Sequence, residues 1–338
     1  MTSLRPDHNR VHFADKGGAY TDIAELIRLR HAAKEVAAFT VDKSRNPLAG
    51  LLTSNFRGRG IDFAEVRRYE PGDDVRTIDW RVTARTQQPH TKLFQEERER
   101  PVLLLVDQSK NMFFGSRIRF KSVLAGEIAA LLAWLSLSGG DRVGGIVFNQ
   151  FHHRDVRPRR SKHAVLRLLH EIDSFNHELK RELKRELKSE LKKELSDEQK
   201  VSDQNYLANA LLNVRRVAKH GCTVVVISDF QNLNPDAEIH LRQIAQHNDV
   251  VGICITDPLE VSLPDPDLYT ITNGQDRLEI NTSSTKNRME YENHFQSRLQ
   301  YVKQQFIKIK SPLLELSTGD EVVPSLAAAI DGSGGGRR

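Results

Sequence analysis

Few cysteines and no long hydrophobic run occur in this chain. Its 338 residues include two cysteines, Cys222 and Cys254, and each lies within an apolar stretch. Such residues pack as small buried side chains in a reducing compartment, and we do not expect them to form a disulfide bridge. No run of 18 or more apolar residues is present, and the first residues, MTSLRPDHNRVHF, lack the apolar segment of a secretory signal. The sequence therefore predicts a cytoplasmic protein with no membrane-spanning segment.

Motifs of common enzyme classes are also missing. The phosphate-binding pattern Gly-x-x-x-x-Gly-Lys does not occur, so the chain is not expected to be an ATPase. The 13 histidines show no spacing typical of metal ligands. An aspartyl-phosphate phosphatase also has an aspartate after its first strand, but it needs a second acid two residues later, where this chain has Ser109. We therefore expect no catalytic residues, with a metal-dependent phosphoesterase as the alternative.

The excess of positive charge is small and spread along the chain. Lysine and arginine total 50 against 45 acidic residues, which gives a net charge of +5. The densest basic segment, HHRDVRPRRSKH at residues 152–163, has no interleaved aromatic side chains and no known groove-reading motif around it. We interpret this segment as solvated surface, with nucleic-acid binding as a minor alternative.

Residues 101–330 alternate between apolar strands and helices. Strands are predicted at 102–107, 143–149, 222–229 and 250–257, and helices at 117–138, 161–195, 206–219 and 236–247, with one more strand and helix within 312–330. Continuous apolar strands separated by helices are typical of a parallel sheet that is covered on both faces. The predicted fold class is therefore α/β, with a doubly wound, mainly parallel sheet.

The rest of the chain divides into shorter parts. Residues 1–54 form an extension with one helix at 21–39, and residues 55–100 form a small irregular or β-rich unit. In that unit a turn at residues 71–72 and an expected buried Trp80 favour a structural role, and a binding role is the alternative. Residues 331–338 are a flexible tail.

A four-residue repeat, ELKRELKRELKSELKKEL, occupies residues 178–195 within the long predicted helix. Its leucines drift by about 40° per repeat around a helix of 3.6 residues per turn, so they do not keep one face. We interpret the repeat as a solvated extension of the helix, and a docking arm with a leucine edge is the alternative.

Polar side chains follow two of the predicted apolar strands. Asp107, Ser109 and Asn111 alternate after one strand, Asp229 ends another, and Asn205 opens the helix between them. In an open parallel sheet, ligands bind beyond the carboxyl ends of the strands, at the point where the strand order reverses. If the two strands are neighbours, these five residues converge as an all-oxygen ligand set. Such a set suits Mg²⁺, or else Mn²⁺ or Ca²⁺. An ordinary polar turn from strand to helix is the alternative.

The same residues resemble those of known families. An aspartate and serine after a strand, a later polar loop and a second strand-end aspartate resemble the metal-ion-dependent adhesion site of von Willebrand factor A-like domains. Residues 58–99 resemble the bacterial family called domain of unknown function fifty-eight. That family pattern is met at Gly58, Gly60, Arg67 or Arg68, Tyr69, Gly72, Asp73, Arg76, Ile78, Asp79, Trp80, Ala84, Arg85 and Thr86.

The resemblance implies a function as well as a fold. It implies a von Willebrand factor A-like domain at 101–330 that acts with a MoxR-type AAA+ ATPase on a protein client, in assembly or activation. A partner's Asp or Glu would complete the coordination of the metal ion. The adhesion-site pattern has Ser where this chain has Asn111 and Thr where it has Asn205. A vestigial site that binds no metal is therefore the alternative.

Overall fold

The chain forms two compact units, residues 55–100 on the one hand and residues 1–54 with 101–338 on the other. The computed structural model describes residues 18–41, 61–70, 73–96, 101–190, 205–272 and 277–326. The predicted tail, the repeat residues 191–195 and the signature glycines Gly58, Gly60 and Gly72 lie outside the described residues.

Strands and helices alternate through most of the larger unit. The strands of the chain are β1 (Ile61–Arg68), β2 (His90–Glu96), β3 (Pro101–Asp107), β4 (Arg142–Phe148), β5 (His153–Arg159), β6 (Thr223–Ser228), β7 (Asp249–Thr256), β8 (Leu268–Thr272), β9 (Arg277–Asn281) and β10 (Leu313–Ser317). The helices are α1 (Ile23–Val41), α2 (Trp80–Thr86), α3 (Lys121–Ser138), α4 (Lys162–Glu190), α5 (Tyr206–Val217), α6 (Pro235–Ala245), α7 (Pro258–Val261) and α8 (Thr285–Lys308). Residues 322–326 are also helical.

A six-stranded sheet in the order β10-β7-β6-β3-β4-β5 organises the larger unit. All neighbouring strands in it are parallel except β4 and β5. Helices α1, α3 and α4 pack on one face, and α5, α6 and α8 pack on the other. Alternate residues of β3 enter the two cores, because successive side chains of a strand point to opposite faces. The predicted α/β class with a mostly parallel sheet is confirmed, and Cys222 and Cys254 are free and buried as predicted.

Helix α3 is the one described helix that is long and apolar enough to cross a membrane by length and composition. The sequence predicted the helix but not this property, because polar residues interrupt its apolar positions. In this fold 83% of the apolar window is buried inside the domain, and the Trp134 indole donates to the Leu26 carbonyl of α1 at 3.2 Å. The helix therefore has the surroundings of a core helix.

The structure adds elements that were not predicted from the sequence. The basic segment at 152–163 contains the antiparallel edge strand β5, and residues 268–308 contain the β8–β9 hairpin and α8. Gly144 permits β5 to approach β4, because a side chain at Gly144 would lie 2.4 Å from the Val156 carbonyl oxygen. The repeat also differs from expectation at its start. Its first leucine, Leu179, is 1% exposed and packs in the core, so the fully solvated interpretation is wrong at that residue.

The smaller unit pairs β1 with β2 in an antiparallel ladder. Two of its aspartates stabilise the turns between these strands. Asp73 forms a 2.6 Å ion pair with Arg67, and Asp79 caps α2 by accepting from two backbone amides. Trp80, however, is 68% exposed, so the prediction that it is a buried anchor is wrong. It is the first residue of a helix in which no residue is buried.

Candidate cation site at the carboxyl edge of the sheet

The carboxyl ends of β3 and β6 adjoin near the middle of the sheet. The strands pair in parallel, with Val106 opposite Ile227. Asp107, which ends β3, and Asp229, which follows β6, therefore leave the sheet at the same edge. The chain continues from β3 to β4 on one side and enters β6 on the other, so this edge is a switch point of the strand order. The predicted neighbourhood of the two strands is confirmed.

Asp107 is a buried carboxylate without an ion pair among the described residues. It is 1% exposed. One carboxylate oxygen accepts from the Ser109 amide at 2.8 Å, and the other accepts from the Ser228 hydroxyl at 2.6 Å. Burial, followed by the charge of Asp229, raises the pKa of Asp107 from 3.8 to about 7, although the hydrogen bonds act in the opposite direction. The negative charge of this group is therefore poorly compensated.

Ser109 lies two residues further on, at the start of a 3₁₀ turn that spans Lys110–Met112. Its side chain is 1% exposed, and its hydroxyl oxygen is buried without a hydrogen bond of good geometry. The hydroxyl is still close enough to Asp107 to favour the charged carboxylate. Buried polar atoms are nearly always bonded, so an unbonded hydroxyl beside a carboxylate is a candidate ligand atom.

Asp229 has a different environment, because a lysine is bonded to it. The ammonium group of Lys121 lies 2.7 Å from Asp229 and 2.7 Å from Glu260, and the lysine side chain is 0% exposed. Burial alone would lower the pKa of Lys121, but the two carboxylates raise it above its ordinary value, so the group stays charged. The Gln231 backbone amide donates to the other Asp229 oxygen at 3.0 Å.

Asn111 and Tyr206 meet beside the two aspartates. The Asn111 amide donates to the Tyr206 hydroxyl at 3.4 Å, and the Asn232 amide donates to the same oxygen. Burial, and then the charges of Asp107 and Asp229, raise the pKa of Tyr206. The hydroxyl therefore lies in the field of both carboxylates and stays protonated.

Asn205 is held by a second amide. It precedes α5 without capping it, and its carbonyl oxygen accepts from the Asn234 amide at 2.6 Å. The structure thus brings Asp107, Ser109 and Asp229 together, and it gives Asn111 and Asn205 other amide or hydroxyl partners. The metal-binding role of all five residues stays a prediction.

Several residues of this edge were missed from the sequence. The third strand of the row, β7, also leads into an aspartate, Asp257, which is 0% exposed and accepts from the Ser116 amide at 2.8 Å. Asp257 and Glu260 form the capping box of α7. The signal was the segment Asp-Pro-Leu-Glu directly after an apolar strand, which is typical of a helix start. Lys121 gave no such signal, because its role depends on residues more than 100 positions away.

The donor set fits a small divalent cation on the Asp107 side of the site. Asp107 supplies a carboxylate without an ion pair, and Ser109 supplies an unbonded hydroxyl oxygen; both are ligands that Mg²⁺ accepts. Asp229 can contribute only in competition with Lys121. Within the described ranges, no group of three or more His, Cys, Asp and Glu side chains is placed to hold a metal ion. Water or an outside group would therefore supply the remaining coordination.

Comparisons with known proteins agree with the signature in the smaller unit. The family model described as "Protein of unknown function DUF58" matches residues 65–300. Uncharacterized proteins of Mycobacterium bovis and Mycobacterium tuberculosis are 32% identical over 212 residues, which is 62% of this chain and 59% of each relative. The chain thus spans less than two thirds of the length of these relatives.

Two solved structures from Bacteroides also align with the chain. One is a conserved hypothetical protein, BatB, of Bacteroides thetaiotaomicron, at 12% identity over 69% of this chain and 98% of the other. The other is an aerotolerance-related membrane protein of Bacteroides fragilis, at 16% identity over 70% and 98%. The TM-score is 0.36 in both cases, which is too low to support an argument about fold or function.

Proposed function

The chain belongs to the family described as "Protein of unknown function DUF58", and we propose that it is a non-enzymatic protein-interaction module whose strand-end site binds a divalent cation, Mg²⁺ in the cell. A carboxylate of the partner completes the coordination, as the resemblance to von Willebrand factor A-like domains implies. The module acts in the cytoplasm with a MoxR-type AAA+ ATPase, in the assembly or activation of a client protein.

The observation that carries the proposal is that the Asp107 carboxylate, which has no ion pair among the described residues, lies beside the unbonded hydroxyl of Ser109. A buried carboxylate without an ion pair is costly, and so is a buried hydroxyl without a hydrogen bond. A single divalent cation between them would remove both costs. Asp107 would be the charged ligand and Ser109 a neutral one, and Asp229 would contribute only in competition with Lys121.

The hydroxyl groups at the site also favour binding over catalysis. Ser109 and Ser228 are the serines beside Asp107, and neither is hydrogen-bonded to a histidine in the described part of the chain. The Lys121 amine is held as an ammonium by two carboxylates and is not a nucleophile. The nucleophile and base pair that covalent catalysis needs is therefore not assembled among these residues.

Thermal unfolding with and without cations tests the proposal. We expect Mg²⁺ or Mn²⁺ to raise the melting temperature of chelator-treated protein, with about 2.7 kcal/mol of added stability at an ion concentration 100 times the Kd. Asp107→Ala should abolish the shift, and Ser109→Ala should reduce it. Ser122→Ala is the matched control, because the Ser122 hydroxyl is also buried and unbonded but lies on α3. If Mg²⁺, Mn²⁺ and Ca²⁺ all leave the wild-type transition unchanged, the cation site does not exist.

A binding experiment tests the partner separately. A MoxR-type ATPase needs Mg²⁺ for its own nucleotide, so chelator cannot distinguish the two cation requirements. We therefore expect immobilised Asp107→Ala protein to lose the ATPase in the presence of ATP and Mg²⁺, and Ser122→Ala protein to retain it. If immobilised wild type and both variants retain equal amounts of the ATPase, the ATPase does not bind at the Asp107 site.

A further inference from the structure

Lys121 is a fully buried charge at an unfavourable place in the fold. It is the first residue of α3, where the positive end of the helix dipole disfavours a cation. Its side chain is 0% exposed, so it has lost its hydration as well. Two charge-assisted contacts of 2.7 Å, to Asp229 and Glu260, compensate for both losses.

The contacts of Lys121 divide the edge of the sheet into two electrostatic halves. Its ammonium bonds to Asp229 and Glu260, and within the described part of the chain it forms no hydrogen bond or ion pair with Asp107. Asp107 is left to backbone and hydroxyl donors. One aspartate therefore already has its cation, supplied by the chain, and the other does not.

We propose that Lys121 is a resident counter-ion that withholds Asp229 from an incoming cation and thereby determines the affinity of the site. This inference rests on the proposed function. The protein ammonium and a divalent cation compete for the same carboxylate, and like charges repel strongly where water is excluded. The cation is restricted to Asp107 and Ser109, which leaves coordination positions for water and for the carboxylate of a partner.

Replacing the charge tests this inference directly. Lys121→Met keeps most of the side-chain volume and removes the ammonium. We expect Mn²⁺ to bind this variant about tenfold or more tighter than wild type, measured by titration calorimetry at fixed ionic strength. Without cation the variant should melt at a lower temperature, because Asp229 and Glu260 lose their partner, and Mn²⁺ should restore the loss.

Two further variants separate contact with Asp229 from a general effect of charge. Lys110→Met removes the same formal charge from an exposed position just after Ser109, and its Mn²⁺ affinity should stay within about twofold of wild type. In the double variant Lys121→Met/Asp229→Asn the tighter binding should disappear, because the released carboxylate is gone. Retention of the gain in the double variant would overturn the inference.

A folded protein is needed for each measurement, and Glu260 provides a safer substitution. The Glu260 side chain is 14% exposed at the rim of the site. Glu260→Gln leaves the ammonium with Asp229 as its one charged partner, so we expect Mn²⁺ affinity to fall by about threefold or more. If Lys121→Met does not fold, unchanged affinity in Glu260→Gln overturns the inference.

The outcomes also distinguish this inference from the proposed function. Cation binding by wild type with no gain in Lys121→Met would refute the role of Lys121 and leave the proposed function standing. Binding by Lys121→Met alone would support that role and refute a cation requirement in the natural chain. Absence of binding in both folded proteins would refute both.

Discussion

Replacing Asp107 by asparagine should change stability in a way that depends on pH. Because the pKa of Asp107 is raised from 3.8 to about 7 in the folded protein, the folded state keeps a proton that the unfolded state releases between these values. The contribution of this protonated carboxyl group to the free energy of unfolding is therefore complete below pH 3.8 and is lost as the pH rises through 7. In the absence of a cation, wild type loses stability over this window, and Asp107→Asn does not.

The structure sets the size of the effect. The interval from 3.8 to about 7, at about 1.4 kcal/mol per pKa unit, gives an upper bound of about 4 kcal/mol. Relaxation and water penetration around the charged carboxylate reduce this cost. We expect metal-free Asp107→Asn to exceed wild type by about 1 to 3 kcal/mol at pH 8 and to match it near pH 4.

Urea unfolding in chelator measures this difference at each pH. The chain has two tryptophans, and a Trp80→Phe background leaves buried Trp134 of α3 as the reporter of the larger unit. Asp257→Asn is the matched control. Asp257 follows β7, two strands away from β3 in the sheet. It accepts from the Ser116 and Leu259 backbone amides and the Thr318 hydroxyl, so its variant should lose stability at pH 8. A difference between Asp107→Asn and wild type that does not vary with pH would refute the reasoning.

Three further predictions concern the Asn176 hydrogen bonds, the buried Leu179 and catalysis. Asn176→Ala should cost about 2 to 4 kcal/mol in urea unfolding, since it removes the partner of the Thr21 backbone amide and of the Gln108 side-chain oxygen in the core; an unchanged midpoint would contradict it. Leu179→Ala should cost about 2 to 4 kcal/mol, so deletion of residues 178–195 should destabilise the protein rather than be neutral; a deletion variant of wild-type stability would show otherwise. Purified protein should not turn over a generic phosphoester, and hydrolysis that Asp107→Ala abolishes would refute the binding-module interpretation.

Much of the sheet could be predicted because its strands are apolar on both faces. The runs that became β3, β6 and β7 are buried along almost their whole length, so hydrophobicity alone marked them. The edge strand β5 was not predicted because its residues are mostly exposed and basic. Such a strand is defined by its pairing with β4, and the charges on it protect an edge from aggregation.

The long helix α8 was not predicted from the sequence for a related reason. Most residues of Thr285–Lys308 are charged or polar, and they separate the buried apolar residues Phe295, Leu299, Val302 and Phe306 from one another. These four residues follow the spacing of three or four positions that a helix needs to bury one face. The signal was present, but the polar composition of the segment concealed it.

The positions of the two aspartates were predictable from the sequence, and the charge balance between them was not. Two strand-end aspartates and a serine are visible in the sequence. Their proximity was expected because the carboxyl ends of neighbouring parallel strands meet at the same edge of a sheet. The sequence led us to expect two carboxylates repelling each other. The structure instead pairs Asp229 with Lys121 and leaves Asp107 without an ion pair among the residues that it describes.

Under the proposed function, this asymmetry would let one edge of the sheet be stable without a cation and still able to bind one. Were Asp107 and Asp229 both unpaired, the metal-free fold would carry two buried charges, each at a cost of several kcal/mol. Were both paired with lysines, no ligand would remain for a cation. Lys121 compensates the charge of Asp229, and a proton on Asp107 relieves the remaining repulsion at lower pH. We therefore expect the metal-free protein to stay folded, and the cost that remains at Asp107 is the one that a bound cation would remove under the proposed function.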